Sequence, residues 1–130
     1  VAGSKSDYLE NEILDHILKT TSYTVPTNIY VALYTAAPTD AGGGTEVSGN
    51  AYGRIAKNTW DAASGGATEN TGAVTFNQAT GDWGTVVAFG LHDNSTGGNL
   101  LYWGDLTANK AVNNGDTAEF ADGAIDIVET

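Results

Sequence analysis

Any chemistry in this chain would have to come from few side chains. It has two histidines, sixteen carboxylates and no cysteine. His16 lies in the run NEILDHIL beside Asp15, and His92 closes TVVAFGLH just before Asp93. A Ser-His-Asp triad needs three side chains converging on a nucleophile held at a sharp turn. No G-x-S-x-G run is present, and neighbours such as His92 and Asp93 on a strand point to opposite faces. Both histidines therefore read as structural. A pair of carboxylates could serve glycoside hydrolysis. Asp61, Glu69, Asp82 and Asp105 fall near loops, but none sits in a motif that would hold a carboxyl group protonated. They read as solvated surface. No catalytic residue is assigned, and the chain is expected not to be an enzyme.

Metal and anion sites fare little better. Asp93-Asn94-Ser95 and Asn113-Asn114-Gly115-Asp116 offer oxygen ligands of the kind calcium prefers. Neither follows the spacing of an EF-hand loop, and Asn, Asp and Gly are also the residues that build turns. Turn chemistry is the expectation, with no metal and no cofactor. The GGGT run at 42–45 lacks the Lys-Ser/Thr of a phosphate loop, and Glu46 would repel an anion. Asn94-Ser95-Thr96 is formally a glycosylation sequon, but no secretory signal accompanies it. The aromatics Tyr30, Tyr34, Tyr52, Trp60, Trp83 and the Tyr102-Trp103 pair could line a sugar-binding face. Core or interface packing is the stronger reading of such residues. Trp60 and Trp83 fall at strand ends, where edge or interface packing is expected.

The net charge of −11 and pI near 4.1 argue against nucleic acid as a ligand, because phosphate binding needs clustered Lys and Arg. The five basic residues (Lys5, Lys19, Arg54, Lys57, Lys110) are scattered. No apolar run approaches the ~20 residues of a membrane span. The start, VAGSKSDYLENEILDHILK, has no basic n-region and is no signal peptide. Val1 in place of Met reads as a removed initiator or a processed fragment.

These residues must be positioned by one domain, 1–130, of ordinary size. A helix is expected over 6–19, with Ser6 as N-cap and Ser4 as a rival one register earlier. Leu9, Ile13 and Ile17, with Leu14 and Leu18 beside them, read as one apolar stripe that covers a sheet or a sheet edge. Asp7, Glu10 and Glu12 early in the helix and Lys19 late in it suit the helix dipole. Residues 20–24, with Pro26 after, end it.

From 25 to 130 the texture is β. Strands are expected near 29–35, 52–60, 72–77, 84–93, 99–106, 116–121 and 124–129, separated by Gly- and Asn-rich turns. The mainly β fold class follows: an antiparallel β-sandwich or jelly-roll-like domain of about seven strands with one N-terminal amphipathic helix. Strand 84–93 is apolar or small at both parities and should be central. In 124–129, Ile125 and Ile127 should face inward and Asp126 outward. The 36–50 connection is too long for a tight hairpin and reads as an exposed loop of the kind that carries function.

IYVALYTAAPTDAGGGTEVSG, followed by AYGR, VTFNQATGDWGTVVAFGLHD and STGGNLLYWGDLTANKAVNNGDTAEFADGAIDI, resembles a widespread family of small tailed-bacteriophage structural proteins. The resemblance also takes in SDYLENEILDHIL and so covers nearly the whole chain. The most specific pieces are YVALYTAAPTDAGGGTEVSG and QATGDWGTV. One departure is the polar Lys57-Asn58-Thr59-Trp60 end of the second strand. The resemblance implies a virion protein, made in the host cytoplasm, with no catalytic residues to carry over. The leading expectation is a capsid decoration (cement) protein on the head shell, partnered by the major capsid protein. The alternative is a tail or tail-fibre component partnered by tail subunits. A glycan- or receptor-binding module using Trp60 and Trp83 is a further alternative. A symmetric homo-oligomer is expected of a virion part. Interfaces rest on a few aromatic or Arg anchors. Tyr34, Tyr52, Arg54 and Trp60 are the candidate interface residues, with the helix, the 36–50 loop and the termini as the candidate contact elements.

Overall fold

The computed structural model describes residues 1–19 and 21–129. Among these, ten strands and one helix occur. They are β1 (Ala2–Lys5), α1 (Asp7–Leu18), β2 (Tyr30–Ala36), β3 (Thr45–Glu46), β4 (Ile55–Ala56) and β5 (Ala67–Glu69). Then come β6 (Val74–Thr75), β7 (Gly84–His92), β8 (Leu100–Val112), β9 (Glu119–Phe120) and β10 (Asp126–Val128). The fold is mainly β with one N-terminal helix, consistent with a sandwich.

The sheet runs β3-β2-β7-β8-β1-β10-β5, with β4 sharing the outer edge of β2 and a separate β6-β9 ribbon. Its centre is the expected one. β7 lies between β2 and β8, and Val86, Ala88, Phe89, Leu91 and His92 on it are buried. Val31 and Leu33 of β2 join Val86, Phe89 and Leu91 in the main core, along with Val74, Phe76, Trp83, Ile125 and Ile127. The opposite face of the same strands carries a smaller cluster of Ala32, Tyr34 and Ala88. Full burial of a side chain such as Phe89 contributes about 2–3 kcal/mol. The rings of Phe89 and Phe120 meet edge-on at 6.1 Å, which fixes the β9 ribbon against the central strands.

Several expected strands are shorter than their sequence texture suggests. Of 52–60 only Ile55–Ala56 pairs in a ladder, and of 72–77 only Val74–Thr75. Of 116–121, only Glu119–Phe120 is strand. β8 is longer than expected and runs on to Val112. Its pairing with β7 continues through two register shifts, between Val86 and Ala88 and between Leu91 and His92. The 36–50 segment is not one open loop. It folds back so that Glu46 pairs with Tyr34 and Thr45 with Ala36, and Pro38 and Val47 are buried. Gly44 is required at that return. Its φ is +75°, and a Cβ there would lie 2.7 Å from the Ala36 carbonyl oxygen.

The sequence pattern did not signal β1. Its AGSK lacks β-branched and aromatic residues, yet it is the seam of the sheet. Ala2 and Gly3 pair in parallel with β10, and Ser4 and Lys5 pair antiparallel with β8. Small residues are demanded by the close approach. A Cβ on Gly104 of β8 would overlap the Ala2 carbonyl oxygen, and one on Gly3 would meet Phe89 Cζ at 2.7 Å. β5 and β10 extend the sheet beyond the seam, and Ile125 and Ile127 point inward as the alternation requires.

The helix begins where expected. Ser6 is the N-cap: its Oγ accepts from Leu9 N at 3.3 Å and donates to Leu100 O at 2.5 Å. Ser6 N donates to Leu101 O, so the cap also pins α1 to β8. Lys19 is the C-cap, and its N–H reaches Asp15 O. Thr20, where the expected stop signal begins, lies outside the described residues.

The apolar stripe does not behave as one. Only Leu9 is buried and Ile13 is half-buried, while Leu14, Ile17 and Leu18 are exposed. The helix touches the sheet near its first turns and lifts its later apolar residues into solvent.

Candidate functional site

Two of the four candidate interface residues, Tyr52 and Arg54, bind Glu46, and a third, Tyr34, lies opposite it in the sheet. β3 places the Glu46 carboxylate opposite Tyr34 of β2. The turn that follows, Gly49-Asn50-Ala51, carries positive φ at all three residues, with Asn50 at 51° and Ala51 at 69°. That conformation is unfavourable for Ala, and neighbours hold it in place. Asn50 Nδ2 donates to Asp82 O at 3.0 Å, and Trp83 Nε1 and Thr80 N donate to Asn50 O. The turn delivers Tyr52 and Arg54 back to Glu46.

The resulting network is dense. Tyr52 Oη donates to Glu46 Oε2 at 2.6 Å and accepts from Leu33 N at 3.1 Å. Arg54 Nε and Nη2 form a two-pronged contact with the two Glu46 oxygens, both at 2.8 Å. Arg54 Nη1 donates to Asn94 O and Gly97 O, both at 2.8 Å. One guanidinium therefore ties β3 to the 93–99 hairpin. The Arg54 side chain is only 7% exposed.

The protonation equilibria follow from this geometry. Burial alone would raise the Glu46 pKa, but the Arg54 and Tyr52 hydrogen bonds and the Arg54 charge outweigh it. The net shift is downward, which favours the carboxylate. Burial, reinforced by the Glu46 bond, pushes the Tyr52 hydroxyl up, and burial pushes Tyr34 up to about 12. Tyr34 Oη lies 2.6 Å from His92 Nε2, with the two rings stacked. Burial, then the Arg54 charge, pulls His92 down to about 4, so the ring is neutral near pH 7. His92 Nδ1 is buried with no hydrogen-bond partner.

Trp60 stands apart from this group. Its Nε1 donates to Lys57 O at 3.0 Å and its ring packs on the edge of the main core. Trp83 is buried at 6% exposure, with its ring edge-on to Tyr52 at 5.4 Å, so it does not present a sugar platform. The two oxygen-rich loops use their carboxylates for turns. Asp93 accepts from Asn99 N and Nδ2 at 2.7 and 2.9 Å, and Asp116 accepts from Asn113 N at 2.9 Å. Among the described residues, no three His, Asp or Glu side chains gather into a metal-binding group.

A family model described as podophage GP4 fiber I protein gp80 matches residues 4–128. The chain belongs to this fibre I protein family. It is a bacteriophage virion structural protein. No curated protein matches it.

In this fibre-family chain the large exposed apolar residues lie on and just after the helix, one of the candidate contact elements, and not among the four named anchors. Leu14, Ile17, Leu18 and Val25 are 54%, 69%, 76% and 76% exposed. Leu14, Ile17 and Leu18 follow the three- and four-residue spacing of a single helix face. Asp7 and Glu10, also exposed, lie on that same face one and two turns earlier. The signal was in the sequence: Leu14 and Leu18 sit one position off the 9-13-17 register. A twelve-residue helix with apolar residues on both registers has more apolar surface than one sheet contact covers.

Proposed function

We propose that this chain is a structural component of the tail fibre, a packing module that performs no catalysis and binds tail subunits. The observation that carries the reading is the family match, which spans residues 4–128 and so bears on almost the whole chain. It supports the fibre reading over that of a capsid decoration protein. The geometry agrees in kind. Arg54, Tyr52 and Glu46 sew separate loops together, as suits a rigid part that transmits load rather than a site that opens to a substrate.

Immunogold labelling of purified phage particles with antibody against this chain tests the proposal. Grains should cluster at the tail. Grains spread over the head surface would overturn the fibre assignment in favour of decoration.

A further inference from the structure

We propose that the outer face of α1 docks onto a different virion protein, on an apolar patch bordered by Lys or Arg side chains. The proposal needs only a virion neighbour, so it stands whether that neighbour belongs to tail or head. The face has two halves. Leu14, Ile17 and Leu18 form an apolar half near the end of the helix, and Asp7 and Glu10 form an acidic half near its start. A surface that buries the first while facing the second must be apolar beside positive charge.

A second copy of this chain is a poor match. Paired antiparallel over their full length, two such helices would set the Asp7 and Glu10 carboxylates of one against the apolar half of the other, and desolvating them there is unfavourable. Paired in parallel, they would face like charges with like. Nor does the chain hold the cations to relieve this. It has five basic residues against sixteen acidic ones. Lys19 pairs with Asp15, Arg54 with Glu46 and Lys5 with Glu129. Lys57 and Lys110 lie outside α1. A second copy would bring a further net charge of −11 to the contact, so self-repulsion points to another protein as the source of the complementary charge.

The test supplies variants in trans during infection by phage lacking this gene, then measures copies incorporated per purified particle. Leu14→Glu with Ile17→Glu should reduce incorporation roughly tenfold or more, since few residues dominate an interface. Asp7→Lys with Glu10→Lys should reduce it several-fold. The thermal midpoints of both purified variants should fall by no more than the few degrees that charges set against the helix dipole cost, which separates lost docking from lost folding. Light scattering of the parent and the Leu14→Glu, Ile17→Glu variant should give the same mass. Parent-level incorporation of either double variant would overturn the proposal. So would a parent oligomer that the Leu14→Glu, Ile17→Glu variant dissociates, because a second copy would then cover the face.

Discussion

The Arg54 network and the outer face of α1 present opposite solutions to the same problem of surface chemistry. Arg and Tyr, with Trp, are the residue types enriched at binding hot spots. Here both are consumed internally: the Arg54 side chain is 7% exposed and its Nε, Nη1 and Nη2 all donate within the chain. Leucine and isoleucine on a helix usually signal core, yet Leu18 is 76% exposed and Ile17 69%. The difference teaches that residue type marks a capacity for contact. Whether the contact is made inside or outside depends on what the chain folds beside it.

The sharpest break of this comparison is Arg54→Ala. It leaves the half-buried Glu46 carboxylate with only Tyr52 as its side-chain donor, and should lower stability by about 3–5 kcal/mol. Urea unfolding reads it. A loss under about 1 kcal/mol would place the pair among ordinary surface ion pairs and erase the contrast.

Acidification comes next. His92 is depressed from 6.5 to about 4 in the fold, so below pH 6.5 the unfolded chain takes up its proton first. Stability should therefore be full above about pH 6.5 and fall as the pH drops towards 4. Glu46, also depressed, adds stability above its unfolded pKa that is lost as pH falls through its lower folded value. Denaturation midpoints at pH 7.5 and 4.5 measure the sum, and His92→Phe should flatten the upper part of the curve. An unchanged slope in that variant would show that His92 is not the group responsible.

Tyr52→Phe should cost about 1–3 kcal/mol, because Leu33 N loses its acceptor and Glu46 one donor. The smallest effect belongs to the helix. Leu14→Glu should change stability by no more than about 0.5 kcal/mol. A drop of 2 kcal/mol in calorimetry would mean that the outer face is packed in the free protein, and the two regions would no longer differ.

Much of the fold was legible in the sequence because it rests on local rules. Ser6 before DYLENEIL marked the helix start, and the density of apolar residues in TVVAFGLH marked a central strand. The alternation of Ile125, Asp126 and Ile127 set their facing. The candidate site was legible only in part. Tyr34, Tyr52 and Arg54 were singled out as interface anchors, whereas the structure binds Tyr52 and Arg54 to Glu46 and Tyr34 to His92, and Glu46 was read only as a deterrent to anions. Trp60 does not belong with them, because the ladder with β2 ends at Ala56 and Trp60 instead bridges Asn70 just after β5.

By itself, then, the sequence determined an acidic, mainly β chain with a capped N-terminal helix, since composition, capping and alternation act over a few residues. Only the tertiary structure decided that AGSK would become the seam between β8 and β10, because its pairing partners lie about a hundred residues away. Only the tertiary structure decided that Arg54 would face inward and Leu14, Ile17 and Leu18 outward. Burial depends on which surfaces meet. α1 meets β8 through its first turns alone, and nothing in the described chain reaches its far face.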